Sequence, residues 1–549
     1  MDARTRHCLF AIGGYIGLTI FWFLPVLPGI SEALIGPAED NMLLYWNLWW
    51  GNEALRSPGL ELFHTRHLFH PQGHVLWLHS MSWTNVLLSL PLTRFMPLPL
   101  VYNLLMLSSF VVGGTGAFFL ARRFLDRDLL CFYAGFVFAF NPFHFSHALH
   151  HLDVSSIQYL PFTLLFYLRA REDPRLRNIV AGALFFAAAS LASFYYLPQL
   201  VLVFLADLIV RSVQKRGLDG ASLRAAALIG GLTALILSPL LVMMAREFLA
   251  SYGRLATVGP DPTNWFVADL ARLVLPNSYS PFWGEPESMS PTPFTGNSWE
   301  NAVFLGWVNL AAVGYLLVGR VKENAWLLVM FGLFLVLSLG RQLHVAGALV
   351  GPELLPYRLL DQIPLLNLGR VPARMIVMAQ LFLGILAARG IDAALRGTTR
   401  WKPWLDVRRR RLWIAAGIGL VAGMEFLCIA NVNTRIHLPA VYEQIPQEDG
   451  VSLLNLPMDS YKFDALYMMY QTRHGIPMGA GRVSRVTDHG VRGALAEAAP
   501  DDTPAILREY KIRYIVVHRA FYEQPPDALF DQLFQRIWQD EQHILYRVN

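Results

Sequence analysis

Charge is scarce in this chain. Only 15% of its 549 residues are Asp, Glu, Lys or Arg, against 54% apolar, whereas soluble domains usually carry about 25% charged residues. With a mean hydropathy of +0.38, a water-soluble multidomain protein is excluded. Cysteine is scarcer still: Cys8, Cys131 and Cys428, each inside an apolar run, form neither a disulfide framework nor a thiolate metal site. No repeat of 20–50 residues and no low-complexity tract is present, so a solenoid is also excluded.

What the chain has instead is a series of weakly charged stretches of about 20 residues, the length needed to cross the hydrocarbon of a bilayer. The expected spans are 8–29, 97–120, 129–146, 154–170, 179–196, 197–213, 225–246, 302–319, 325–340, 373–394 and 412–430. That makes eleven transmembrane helices in an all-α polytopic module over 1–431. The first span is basic and then apolar over about 22 residues, too long for a cleaved signal, and reads as a signal-anchor. Short basic clusters punctuate the spans: Arg4 and Arg6; Arg122, Arg123 and Arg127; Arg169 to Arg177; Arg211 to Arg216; Arg320 and Lys322; Arg396 to Arg411. Under the positive-inside rule they all fall on the cytoplasmic side. The expected setting is therefore the inner membrane, N-terminus cytoplasmic and C-terminus extracytoplasmic. The net charge of +5 encodes orientation and implies no nucleic-acid partner.

Three long loops are expected outside: 30–96, 247–301 and 341–372. The first contains WTNVLLSLPLTRFM (83–96), too short and interrupted to span and expected as an interfacial helix. Long loops without structure are uncommon unless they act as lids or binding elements. From residue 432 to 549 the pattern changes. SLLNLP (452–457), KIRYIVVH (511–518) and HILYRVN (543–549) read as strands, with DALYMMYQTRH and TPAILREY as helices, giving a small extracytoplasmic α/β domain.

The chemistry concentrates at the outer edge. PAEDNMLLYWNLWW (37–50) sets Glu39 and Asp40 before Tyr45, Trp46, Trp49 and Trp50. One reading is a solvated acid pair beside an interfacial aromatic belt. The other is a carboxylate walled by aromatics and placed to take a proton from a hydroxyl, since aromatic faces suit sugar rings. HALHHLD (147–153) puts His151 near Gln158 at the outer end of a span. The histidines of FHTRHLFHPQGH are broken up by Pro71 and Gly73, and no HExxH occurs. Glu300, in NSWENAVFLG, is expected to open the eighth span, as a helix-dipole partner with Ser298 as cap or as a second active carboxylate. Arg370 and Arg374 stand at the start of the tenth span, as snorkelling anchors or as a clamp for phosphate oxygens. Glu425 lies inside the last span with no evident role.

The acid followed by W-x-x-WW after the first span, with LFHPQG, HLDVSSIQYLP, ENAVFLG and RVPAR in order and an α/β tail, resembles bacterial membrane glycosyltransferases of the GT-C superfamily. The resemblance covers nearly the whole chain. It implies a GT-C-like fold and transfer of a hexose or pentose, by inversion, from a polyprenyl-phosphate-linked sugar to a glycan, lipid or protein acceptor. The implied base is Asp40, with Glu39 beside it; Trp46, Trp49, His151, Gln158, Glu300, Arg370 and Arg374 are the implied substrate contacts. No DxD pair stands in the first loop. Glu39 and Asp40 offer oxygen ligands for one weakly held divalent cation, Mg or Mn, and transfer without metal is the alternative. Two other functions fit a chain of this composition: a glycolipid transporter or flippase, and a non-catalytic assembly protein. A transporter more often shows internal repeats and polar residues at the midplane, which this chain lacks.

Overall fold

The computed structural model describes residues 3–251, 262–276, 279–283, 294–363, 370–397, 407–446, 448–458, 461–484 and 490–548. Parts of the expected 247–301 loop and of the stretch before the last span lie outside these. The chain forms two compact units. One comprises Met1–Pro28, Leu104–Leu237 and Val258–Asn431; the other comprises Gly29–Asn103, Ser238–Thr257 and Val432–Asn549.

The first unit is helical. Among the described residues of the whole chain, six helices are long and apolar enough to cross a membrane: Arg6–Val26, Leu98–Ala121, Tyr196–Lys215, Gly220–Ala250, Val321–Ser338 and Pro372–Arg396. A seventh span is obtained if the bent pair Asp128–Ala139 and Pro142–His150 counts as one. The protein is thus a multi-pass membrane protein, and among the described residues six or seven of the eleven expected spans are matched by such helices. Three of the four remaining expected spans coincide with helices shorter than 18 residues, Tyr159–Glu172, Leu176–Ala192 and Trp307–Leu317, and the fourth, 412–430, with the 20-residue helix Val407–Phe426. At about 1.5 Å per residue, the 11 residues of Trp307–Leu317 reach only about half of a ~30 Å hydrocarbon core. The reason is local: the chain runs from Asn301 to Leu305 without helix, buried throughout, and turns at Gly306, where φ is +83°.

Ile376–Gly397 is the core of this unit and is buried along nearly its whole length. Small residues permit that. A β-carbon at Gly384 would collide with the Ala134 carbonyl, and one at Gly390 with that of Ala312, so glycine lets Asp128–Ala139 and Trp307–Leu317 approach at backbone distance. Glu425 acquires a role here. Its two carboxylate oxygens each accept from the Val308 amide at 3.2 Å, satisfying a first-turn donor of Trp307–Leu317 that has no partner within its own helix. The carboxylate also meets the positive end of that helix dipole.

The second unit contains the small sheet domain. Leu453–Leu456 pairs in parallel with Tyr514–His518, which pairs antiparallel with His543–Arg547, which pairs antiparallel with Gln535–Gln539. The first three are the strands expected from the sequence. The fourth, QRIWQ, is an exposed edge strand whose polar residues carry no alternating apolar signal, as edge strands tend to. Leu454, Ile515, Val517, Ile544 and Tyr546 form its core with Val491 and Leu507 from the covering helices.

In the same unit the expected 30–96 loop is largely structured. Asp40–Arg56 is a 17-residue helix buried almost all round, as a sequence apolar on every face requires. It packs on Tyr461–His474. Trp83–Leu92 follows as the expected short helix. It buries Trp83, Val86 and Ser89 and exposes Leu87 and Leu88, with Phe95 beyond its end 86% exposed. That polarity suits a helix lying in the membrane interface.

Candidate functional site

Each unit carries part of the predicted chemistry. In the second unit Asp40 is the first residue of helix Asp40–Arg56, and its carboxylate accepts from Arg482 Nη2. The Arg482 side chain is 6% exposed, that of Asp40 32%. The acid is therefore held by a buried cation while one-third of it stays open to solvent. Glu39 precedes the helix, and its amide donates to the Asn41 side chain at 3.1 Å.

Behind this pair lies His79. Burial first, and then His74 and Arg482, push its pKa down to about 3, so the ring is neutral. The Ser484 amide donates to Nδ1 at 3.0 Å, which places the ring proton on Nε2 and directs it to Asn47 Oδ1 at 2.9 Å. Asn47 is itself oriented by donating to the Ser80 carbonyl. The segment Arg482–Ser484 is thus pinned by a ring whose tautomer is set by the backbone.

Within the aromatic cluster Trp46 and Trp49 have different surroundings. Trp46 is fully buried. Its indole N–H donates to Gln471 at 2.7 Å, and its ring stacks on Trp50 at 5.8 Å and 4°. Gln471 in turn donates to the carbonyls of His67 and Ile476. These contacts dock helix Asp40–Arg56 onto Tyr461–His474, so Trp46 is a core residue. Trp49 is half-buried, its ring 5.9 Å from that of His67.

In the first unit Glu300 and Arg374 meet. Nε and Nη2 of Arg374 donate to one Glu300 oxygen, at 3.0 and 2.6 Å. The second Glu300 oxygen lies 3.4 Å from His147 Nε2, and His147 Nδ1 lies 3.0 Å from His151 Nδ1. Burial alone would raise the Glu300 pKa, but Arg374 and His147 outweigh it and hold the carboxyl below its ordinary range. Arg374 also lies over the Tyr195 ring at 4.4 Å, and its carbonyl accepts from Gln199. Trp299 stacks on His150 at 4.6 Å.

Two expectations are corrected by this geometry. Glu300 does not open a helix: the helix begins at Trp307, and the Glu300 amide is itself held by Asn297. Ser298 accordingly caps nothing there. Nor is Arg374 a snorkelling anchor, since its head is buried on a carboxylate. Arg370 is half-buried, and Gln158 is buried at the start of Tyr159–Glu172. The structure brings Glu300, Arg374 and His151 together, and Asp40 with a residue the sequence did not single out, Arg482. His147, the link between Glu300 and His151, was visible in HALHH: at i and i+4, residues 147 and 151 share one helical face.

A divalent cation needs several converging oxygen or nitrogen ligands. Among the described residues no group of three His, Cys, Asp or Glu side chains is so placed, and the Asp40 carboxylate already faces a guanidinium. No step below uses a metal.

The chain shares its fold with solved oligosaccharyl- and arabinofuranosyltransferases. The chain aligns with the apo oligosaccharyltransferase of Archaeoglobus fulgidus at a TM-score of 0.58 and 11% identity, covering 99% of this chain and 74% of that one. It aligns with the mycobacterial arabinofuranosyltransferase AftD at 0.59 and 13%, covering 100% and 42%. With ArnT from Cupriavidus metallidurans, bound to undecaprenyl phosphate, the values are 0.53 and 14%, covering 98% of both chains. Residues 44–405 match the family described as "Domain of unknown function (DUF6311)", and the protein belongs to that family. No curated protein matches the chain.

Proposed function

We propose that this protein is a membrane glycosyltransferase that moves a hexose or pentose from a polyprenyl-phosphate-linked donor to an acceptor hydroxyl on the extracytoplasmic face, with inversion. The observation that carries the reading is Asp40, a partly exposed carboxylate fixed by a buried arginine at a helix start, in a chain with the GT-C fold. Solved proteins of this fold include an archaeal oligosaccharyltransferase in complex with a dolichol-phosphate and ArnT with undecaprenyl phosphate. That supports a lipid phosphate as the leaving group.

In the proposed step the acceptor oxygen attacks the anomeric carbon as Asp40 takes its proton. The bond from that carbon to the phosphate oxygen breaks, and the lipid phosphate departs with the electron pair. Arg482 orients the carboxylate. Arg370 and Arg374 are assigned to the donor phosphate, where a cation relieves the leaving anion, and Glu300 with His147 holds Arg374 in place. His151, Trp49 and Gln158 are assigned to sugar contacts. The acceptor is a glycan, lipid or protein.

The test is to supply purified protein with labelled polyprenyl-phosphate sugars and follow release of the lipid phosphate. Release that depends on Asp40 supports transfer. Movement of intact glycolipid across a reconstituted bilayer, with no bond broken, would make the protein a flippase instead.

A further inference from the structure

Between its spans Val321–Ser338 and Pro372–Arg396, the first unit reverses the usual pattern of burial. Strands Leu343–Val345 and Ala348–Val350 pair as an antiparallel hairpin, and the short helix Tyr357–Asp361 follows. From 346 to 359 the exposed residues are alanine, glycine, leucine, valine and proline, with Arg358 as the single exposed charge. Leu354 is 77% exposed and Leu359 67%; Leu349 and Val350 are exposed as well.

The polar groups point the other way. His344 is buried, its ring nitrogens 2.8 Å from Thr295 Oγ1 and 3.2 Å from Asn264 Oδ1. The buried Asp269 carboxylate accepts from the Ala346 and Gly347 amides at 2.9 and 2.7 Å, which stakes down the hairpin turn. Arg341 donates to Asp361 at 3.1 Å, and its carbonyl accepts from the Leu355 amide at 3.0 Å. Hairpin and helix are therefore tied together by a polar frame on the inside, with aliphatic side chains held outward. A segment folded for water does the opposite, because burying apolar area is what drives its folding.

The surface continues beside the hairpin. The Leu270 amide donates to the His344 carbonyl at 2.9 Å, and the Trp307 indole N–H to the Val274 carbonyl at 2.8 Å. Leu270, Val274 and Trp307 are all exposed. An apolar patch on a fixed frame marks a contact with lipid or protein, and lipid is favoured here. The segment leaves one span and enters the next, so it starts and ends at one membrane face. Its outward side chains are aliphatic, whereas protein interfaces are enriched in aromatic residues. The aromatic residue at its edge, Trp307, is of the type that gathers at bilayer interfaces.

We propose that the hairpin and the helix after it, residues 343–361, are immersed in the interfacial layer of the bilayer. Leu349, Leu354 and Leu359 lie among the upper acyl chains, and Arg358 reaches the lipid phosphates. The Ala373 amide donates to the Phe266 carbonyl at 3.1 Å, so the same frame holds the turn carrying Arg374 near headgroup level. Only that consequence rests on the sugar-transfer reading; the surface stands without it, and its test needs no activity.

The test places a polarity-sensitive nitrobenzoxadiazole probe on L349C, L354C or L359C in a Cys8→Ser background, where the two remaining cysteines are buried. Each protein is studied in phosphatidylcholine nanodiscs, with and without lipid carrying a nitroxide near the top of its acyl chain. L205C, at an exposed position of span Tyr196–Lys215, gives the response of a lipid-facing site. The expected result at the three loop positions is blue-shifted emission, with more fluorescence lost to the nitroxide lipid than to aqueous iodide. Each of the three side chains is exposed, so any one variant that folds decides the matter. Greater loss to iodide overturns the proposal. Protection from both quenchers, the signature of a second copy or another protein over the patch, overturns it as well.

Discussion

Asp40 and Glu300 are two carboxylates with arginine partners, and their surroundings predict opposite behaviour on substitution. Asp40 is partly open, so Asp40→Asn should leave folding intact and lower transfer by about 100-fold or more, the contribution expected of a general base. Turnover of purified variant and parent at matched yield checks this; near-normal turnover, with Glu39→Gln inactive instead, moves the role one residue back. Glu300 is shut in with Arg374. Glu300→Gln should therefore strand a buried cation and destabilise by about 3–5 kcal/mol, read as a fall in the thermal midpoint in detergent. The double variant Glu300→Gln with Arg374→Gln should recover part of that loss, because nothing charged remains unpaired. If Arg374 also serves the donor phosphate, Arg374→Lys should restore stability better than donor affinity, since lysine keeps the charge without the fork. Lysine restoring both fully would leave Arg374 a purely structural partner of Glu300.

Among elements, the docking of helix Asp40–Arg56 onto Tyr461–His474 and the sheet domain depends on rings kept neutral by burial. His79 has its pKa pushed down to about 3 by burial, His74 and Arg482. His474 is lowered to about 3 by burial and His67, and His518 to about 3 by burial and His543. Unfolded, each binds a proton near pH 6.5; folded, none does until about pH 3. Between those values the unfolded chain carries more protons, so stability rises with pH through the window, is complete above about 6.5, and is lost on acidification at about 1.4 kcal/mol per pH unit per histidine. Thermal midpoints taken from pH 4 to 7 should fall steeply at the acid end, and His474→Gln should flatten the slope by about one proton. An unchanged slope would mean that His474 is not the group responsible. A second element-level expectation concerns Glu425: Glu425→Gln removes the charge facing the start of Trp307–Leu317 and should cost about 0.5–2 kcal/mol, the usual worth of a helix cap. Full stability in that variant would show that a neutral amide oxygen serves the Val308 N–H as well as the carboxylate does.

For the whole molecule, the distribution of basic residues predicts the sheet domain on the outer side. In a Cys8→Ser background, a cysteine placed at exposed Gln524 should react with a thiol reagent that does not cross the inner membrane. Reaction only after permeabilisation would invert the orientation. Composition and the spacing of apolar runs were enough to mark a multi-pass membrane chain, the shift in pattern after residue 431 and three of the four strands of the sheet, because these depend on local sequence and on length. Span length was less legible, since hydropathy registers apolar residues whether they form helix or, as at 301–305, buried extended chain. Partners distant in sequence were not legible at all. Asp40 and Arg482 stand 442 positions apart, Trp46 and Gln471 425, and Glu300 and Arg374 74. Trp46 as core, Glu300 as an ion-pair partner rather than a cap, and Glu425 as the cap of another helix were decided by tertiary packing: a buried polar group takes whichever partner the fold brings within hydrogen-bond distance, and periodicity along the chain carries no record of that distance.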